Sequence, residues 1–291
     1  LIWFSTWNGL NKFDGYTFKT YKTSQESKYA FGSNRMGTIS ESKYGDIWCP
    51  TYNGQACLFD VESEKFIDVL QPIELSTKQT NYVTRIYSLE KGIAWILCEN
   101  GYAFRVDEQL CKKGEGITLY APSNHNLKGD QIFNVYQDSE EDEWILTDKG
   151  VSIIGKKTLD TDFPFQFITQ IKESIYLIAE NDKLARYDFH TKKLKFVDIP
   201  YPHDKINNVT TIGKDMLALG TDNGLILYSI PQNSFQQIDI RTATQTSNFV
   251  ESVYQDRQGE IWIFSKDPGI VRLNLATNEK DHLFTPKNEI I

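Results

Sequence analysis

The chain has 291 residues, a formal net charge of -8, 40% hydrophobic residues and 13% aromatic residues. An acidic chain without a Lys/Arg stripe has no surplus cations to displace phosphate counterions, which makes it a poor binder of nucleic acid and anionic membrane. The same charge argues against a highly sulfated ligand unless a local basic pocket overrules it. No apolar run approaches the roughly 18 residues of a membrane span, and no basic segment leads into an apolar one as in a signal peptide.

One phrase recurs along the chain. A bulky anchor, usually Trp, is followed three positions on by Thr or a similar residue, then by a Gly-Leu-like pair and often by Asp. It opens as IWFSTWNGLNKFDGYTF from Ile2 and returns as IWCPTYNGQACLFD from Ile47. The next copies are AWILCENGYAFRVD from Ala94 and EWILTDKGVSII from Glu143. Weaker copies are IYLIAENDKLARYD from Ile175, LALGTDNGLILYS from Leu217 and IWIFSKDPGIVRLN from Ile261. The anchors are Trp3, Trp48, Trp95, Trp144, Tyr176, Ala218 and Trp262, about 45 residues apart except for a short interval between Trp144 and Tyr176.

The expected elements follow from this period. First strands are expected at Met36–Glu41, Val83–Ser88, Ile132–Gln137, Phe165–Gln170, Val209–Gly213 and Val250–Gln255, each alternating and rich in β-branched or aromatic residues. The first copy has none of its own. The last copy is complete: strands at Phe249–Gln255, Glu260–Ser265, Ile270–Leu275 and Asp281–Thr285, with Asp256–Gly259 and Lys266–Gly269 as turns. The apolar run of its second strand suits a strand covered on both faces. One or two strands are expected to be missing in the short interval after Trp144.

Four short antiparallel strands joined by tight turns make one propeller blade. The sequence therefore predicts an all-β chain: a seven-bladed β-propeller of four-stranded antiparallel blades, forming a single domain over residues 1–291. Trp3, Trp48, Trp95, Trp144 and Trp262 are read as structural anchors wedged between blades. The ring is expected to close by pairing of residues 288–291 with the Trp3 strand, which removes exposed edges. The missing initiator Met and the start inside a strand suggest a piece of a longer protein.

The four cysteines, Cys49, Cys57, Cys98 and Cys111, form no CxxC pair, and no His stands at zinc-ligand spacing, so neither metal nor cofactor is expected. Cys49 and Cys57 flank a turn. They are read as small buried hydrophobes rather than as a disulfide.

The segment WFSTWNGLNKFDGYTFKTY, Trp3 to Tyr21, resembles the opening blade of the two-component-regulator propeller family, whose pattern runs roughly W-[FI]-G-T-x-x-G-L-x-[RK]-[FY]-D-G-x-x-F-x-x-Y. It departs in having Ser5 where the family favours Gly. DRQGEIWIFS from Asp256 and KYGDIWCPT from Lys43 resemble the family's D-x-x-G-x-[IL]-W-I-G-T segment. The resemblance implies the N-terminal periplasmic sensor propeller of a Bacteroides-type hybrid two-component system. Its ligand would be an oligosaccharide, and signalling would control transcription of glycan-utilisation genes. Its partners would be a second propeller and a β-sandwich domain of the same chain, a homodimer mate, and a transmembrane helix and histidine kinase outside this segment.

Long loops at 22–35, 71–81 and 121–130, with the turns between second and third strands, are expected on one face. Sugars stack on aromatic rings and take hydrogen bonds from planar polar groups. Trp7, Tyr29, Arg35, Tyr52, Asn53 and His125 are the candidate ligand contacts, with Phe31, Asn100 and Asp222 nearby. Packing against a neighbouring domain is the alternative use of these residues. No catalytic residue is assigned, because no G-x-S-x-G elbow appears and the four His are scattered. The Glu140–Glu143 cluster reads as a solvated turn. A propeller lyase or glycoside hydrolase, with His125 or His203 on the candidate face, and a protein-interaction propeller are the other readings.

Overall fold

The computed structural model describes residues 1–22, 33–71, 73–74, 81–120, 127, 129–156, 159, 161, 163–242, 246–266 and 269–284. The chain divides into two compact units, Leu1–Thr161 and Asp162–Ile291. All strand pairs are antiparallel, and every sheet is a meander in chain order.

The first unit holds four sheets. Sheet 1 is Ile2–Thr6, Gly9–Phe13 and Phe18–Tyr21; sheet 2 is Ser40–Glu41, Ile47–Pro50, Ala56–Asp60 and Lys65–Asp68. Sheet 3 is Val83–Leu89, Ile93–Cys98, Ala103–Asp107 and Ile117–Tyr120; sheet 4 is Ile132–Gln137, Glu143–Thr147 and Gly150–Ile153. The second unit holds three. Sheet 5 is Phe165–Ile171, Ser174–Ala179, Leu184–Asp188 and Lys193–Val197; sheet 6 is Ile206–Ile212, Met216–Thr221, Gly224–Ser229 and Ser234–Ile238. Sheet 7 is Ser252–Gln255, Ile261–Phe264, Ile270–Leu273 and Lys280–Phe284.

Sheets 1 and 4 have three strands among the described residues, the two places where the sequence departs from the four-stranded pattern. In sheet 4, among the described residues after Ile153, an isolated bridge from Leu159 to Val151 stands where an outer strand would run. The first strand of sheet 2 is also shorter than expected: Met36 bridges to Thr51, and regular pairing begins only at Ser40. Residues 288–291, proposed to close the ring, lie outside the described residues.

Burial explains the strand composition. Second strands such as Ile93–Cys98 and Ser174–Ala179 are covered on both faces, hence their continuous apolar runs. Outer strands such as Lys193–Val197 and Ser234–Ile238 are largely exposed and alternate with polar residues. Successive side chains of a second strand serve two different layers. In sheet 2, Ile47 and Cys49 pack with Leu10, Tyr21 and Phe59 toward sheet 1, while Trp48 joins Val83, Ile96 and Phe104 of sheet 3. Trp95 does the same toward Val135 and Ile145 of sheet 4. Within the second unit, Tyr176 meets Leu219 and Tyr228 of sheet 6, and Ala218 meets Ile261 and Val271 of sheet 7.

Each buried indole N–H needs an acceptor. In sheets 4 and 7 it comes from an Asp six residues earlier: Trp144 Nε1 donates to Asp138 and Trp262 Nε1 to Asp256, both at 2.7 Å. The other oxygen of each Asp accepts backbone N–H groups of its own turn, from Glu140 and Asp142 and from Gln258 and Glu260. Sheets 2 and 3 have Ser42 and Leu89 at that position, and neither can reach the indole. There the acceptor comes from the next sheet. Trp48 Nε1 donates to Glu108 at 2.8 Å and Trp95 Nε1 to Glu143 at 2.7 Å. Glu108 also accepts from the Ser88 hydroxyl at 2.6 Å and from Lys43 N–H at 3.0 Å. Glu143 holds the Arg105 guanidinium at 2.6 Å. Glu143 is therefore a buried inter-sheet acceptor, which corrects its reading as part of a solvated turn; its neighbour Glu141 is exposed.

The Asp that ends each phrase has its own use. Asp60, Asp107 and Asp188 close third strands and accept backbone N–H groups two or three residues on, as does Asp14 just after its strand. Those bonds hold the carboxyls of Asp14, Asp60 and Asp188 below the ordinary carboxylate range. Cys49 and Cys57 face each other across paired strands as free thiols. Burial raises all four thiols, Cys98 and Cys111 to about 12.

Two outcomes are expected. Glu108→Ala leaves three donors without an acceptor and costs about 3 kcal/mol, a fall of about 6 °C or more in melting temperature, while Glu108→Gln, which keeps one acceptor oxygen, costs less. A thiol reagent applied without reductant should label none of the four cysteines in the folded protein and all four after unfolding. Two silent cysteines in denaturant would instead reveal a Cys49–Cys57 disulfide.

Candidate functional site

The phrases Thr6-Trp7-Asn8-Gly9 and Thr51-Tyr52-Asn53-Gly54 form the same turn in sheets 1 and 2. In each, the Thr side chain organises the turn: Thr6 Oγ1 accepts Asn8 N–H at 3.1 Å, and Thr51 Oγ1 accepts Gln55 N–H at 3.0 Å. The residue after Thr is thereby turned out of the sheet, leaving Trp7 77% and Tyr52 58% exposed.

The segment entering sheet 2 runs between these turns. Asn34 O accepts Gly9 N–H, Met36 N–H donates to Thr6 O, and Arg35 O accepts Tyr52 N–H at 2.8 Å. The Arg35 side chain is consequently held between two rings. Its guanidinium carbon lies 4.0 Å from the Trp7 ring centre and 3.7 Å from that of Tyr52. A guanidinium stacked on aromatic faces is attracted by both ring quadrupoles.

Tyr52 continues the site into a cleft of ≈ 630 Å³ between the first strands of sheets 2 and 3. Its wall includes Thr38, Ser40, Tyr82, Thr84, Arg85 and Tyr87. Tyr82 donates through its hydroxyl to Tyr52 O at 2.6 Å. Gly54 permits this approach: with φ +85, any Cβ there would lie 2.5 Å from the Tyr82 ring. The strand Val83–Leu89 has a register shift between Val83 and Arg85, and the same irregularity recurs at the start of the first strands of sheets 4, 5 and 6. Such bulges re-aim side chains; here the extra residue is Thr84, on the cleft wall.

Of the sequence candidates, the structure brings Trp7, Arg35 and Tyr52 together. Asn53 is not part of the stack, because its amide is spent within the turn, accepting from Thr51 Oγ1 at 2.5 Å and donating to Gln55 at 3.0 Å. Tyr29, Phe31 and His125 lie outside the described residues. Asn100 is held by Asn81 and Tyr102, and Asp222 by the backbone of Asp204 and Lys205. The ring nitrogens of His203 face the carbonyls of Tyr201 and Asp182. Trp48, Trp95 and Trp144 are buried, and Trp3 and Trp262 partly so.

Tyr82, Arg85 and Tyr87 were missed by sequence reasoning. One signal was present: the position after Thr is aromatic in the first two copies and acidic in the next four, as Glu99, Asp148, Glu180 and Asp222. Asp148 and Asp222 use their carboxylates to bind backbone N–H groups of the incoming segment. Trp7 and Tyr52 make no such bond, so their rings are free for another use.

No acidic residue lines the cleft, and no group of three His, Cys, Asp or Glu among the described residues is placed to hold a metal ion. Glycoside hydrolysis requires two positioned carboxylates. The arrangement offers aromatic faces and planar N–H donors side by side.

Residues 244–267, the start of the last copy, match the family model described as a two component regulator propeller. The matched segment carries the repeat of that family. Over 95% of its length the chain is 23% identical to histidine kinase P4 of Formosa agariphila, of which it spans 18%. Its fold is similar to the extracellular domain of the hybrid two component system BT4673 from B. thetaiotaomicron, with a TM-score of 0.62 and 18% identity, covering 92% of this chain and 38% of that one. The WD40 repeats of RRP9 share the fold at a TM-score of 0.58 and 11% identity, covering 86% of this chain and 80% of that one. In propeller terms, the matched segment contains the Asp256–Trp262 pair, the indole–carboxylate device of its own blade. The Trp7–Arg35–Tyr52 stack belongs to blades 1 and 2.

Arg35→Ala is expected to cost about 1–2 kcal/mol, since each exposed cation–π contact contributes only about 0.5–1 kcal/mol. The variant should remain folded, with a melting temperature a few degrees lower.

Proposed function

We propose that this propeller is a ligand-binding domain in the extracytoplasmic part of a hybrid two-component sensor histidine kinase, and that its ligand is an oligosaccharide. The observation that carries the ligand class is the Trp7–Arg35–Tyr52 stack opening onto a tyrosine-walled cleft. Flat aromatic faces bury the apolar faces of pyranose rings, and the hydroxyls of Thr38 and Tyr87, with the Arg85 guanidinium, supply hydrogen bonds at the sugar's periphery. The kinase assignment draws on the propeller repeat and on the likeness to histidine kinase P4. The periplasmic location draws on the fold shared with an extracellular sensor domain. In this reading the chain is non-catalytic, and transduction falls to other domains of the same protein. Control of glycan-utilisation genes would be the outcome.

A ligand that binds only the folded state raises the melting temperature. A thermal-shift screen of this chain against an oligosaccharide panel should therefore yield at least one stabilising sugar. Calorimetry with that sugar should show binding without turnover. Trp7→Ala or Tyr52→Ala should each weaken it about ten-fold or more, the equivalent of about 1.4 kcal/mol. Undiminished affinity in both variants would remove the assignment of the site, and release of shortened products would favour an enzyme.

A further inference from the structure

We infer that Arg35 is the recognition point for an acidic group, a carboxylate or a sulfate ester, on the sugar bound at this site. The inference rests on the oligosaccharide reading above and narrows it to acidic saccharides.

The first support is the state of the guanidinium. The protein has 39 Asp and Glu against 31 Lys and Arg. Arg105, Arg186, Arg241 and Arg272 all pair with carboxylates. Arg35 has no carboxylate partner and donates no side-chain hydrogen bond among the described residues; its contacts are the two rings. Among the described residues no protein carboxylate takes up the Arg35 donors, which leaves them for a ligand anion.

The second support is geometry. The guanidinium carbon lies 4.0 Å from the Trp7 ring centre and 3.7 Å from that of Tyr52, and rings packed that closely on the flat group leave its N–H donors at the edge for a ligand. A planar edge of two parallel N–H groups matches the paired oxygens of a carboxylate or sulfate. Stacking also fixes the side chain in advance, so little rotamer entropy is lost on binding. An anion in the guanidinium plane lies beside the edges of both rings. Those edges carry the positive part of the aromatic quadrupole.

A third support comes from comparing repeats. At the turn position of Trp7 and Tyr52, the next four copies carry Glu or Asp. An acid at either position here would neutralise Arg35 internally. The aromatic residues hold the arginine without cancelling its charge.

The adjoining cleft fits the rest of such a ligand. Arg85 on its wall has only the Tyr87 hydroxyl as a side-chain partner among the described residues, at 3.3 Å, so it offers a second cation.

The test uses matched sugar pairs: oligouronates (oligogalacturonate, alginate and glucuronoxylan fragments) with their carboxyl-reduced counterparts, and sulfated galactan fragments with their desulfated counterparts. Each is titrated into the protein and into Arg35→Gln and Arg35→Lys variants, with melting temperatures confirming that the variants are folded. At least one acidic sugar should bind ten-fold or more tightly than its neutral counterpart. Arg35→Gln should abolish that preference, Arg35→Lys should keep part of it, and raising the salt should shrink it, because the pair is solvent-accessible. Which set of pairs shows the preference tells carboxylate from sulfate. Equal affinity within every pair, or a preference surviving in Arg35→Gln, overturns the inference. Binding confined to neutral sugars overturns it while leaving the oligosaccharide reading intact. No binding by any sugar overturns both.

Discussion

The hydrogen bond between a buried anchor indole and a carboxylate organises this chain. An indole that fills the layer between two sheets contributes a large apolar surface, but its N–H is taken out of water and must be answered. The repeat answers it in two ways. Asp138 and Asp256 serve the indole of their own blade and knit the preceding turn at the same time. Glu108 and Glu143 serve the indole of the previous sheet and so tie neighbouring blades together. Where the anchor is Tyr176, the hydroxyl is buried with no partner among the described residues, and its ionisation is raised to about 12. Ala218 needs no acceptor at all. The same architectural position is thus filled at different polar cost from copy to copy.

The candidate site follows from a second variable position of the same repeat. The turn after the anchor strand presents one side chain outward in every copy. Where that side chain is Asp148 or Asp222, it caps the segment leading into the first strand, and the turn is a structural fastening. Where it is Trp7 or Tyr52, backbone bonds tie residues 34–36 to the two turns, and the rings clasp Arg35. The first two repeats thus lack the carboxylate fastening that Asp148 and Asp222 provide in sheets 4 and 6. This fits the general pattern of function grafted on to a repeat fold through its turns.

Much of the fold was legible in the sequence because the blade repeat is long and its anchors are chemically conspicuous. The first strands at 132–137, 83–89 and 165–171 lie within a residue of expectation, as alternating β-branched and aromatic residues allow. The three-stranded sheet after Trp144, among the described residues, was also readable, since the interval to the next anchor is short. The short first strand of sheet 2 was not readable. The residues before Ser40 have strand-like composition, but their backbone groups at Asn34, Arg35 and Met36 are taken by the turns of sheets 1 and 2. The buried role of Glu143 was hidden by its three acidic neighbours.

By itself, the sequence determined the strands, the turns and which side chains are anchors, because these depend on period, composition and local turn chemistry. It also singled out Trp7, Arg35 and Tyr52. Only the tertiary structure decided that they form one stack, that Asn53 is spent within its own turn, and that Tyr82, Arg85 and Tyr87 wall the adjoining cleft. The reason is physical. A turn residue's exposure is set locally. Its partner is set by which neighbouring sheet the backbone of residues 34–36 is bonded to, and that pairing between distant segments has no local signature.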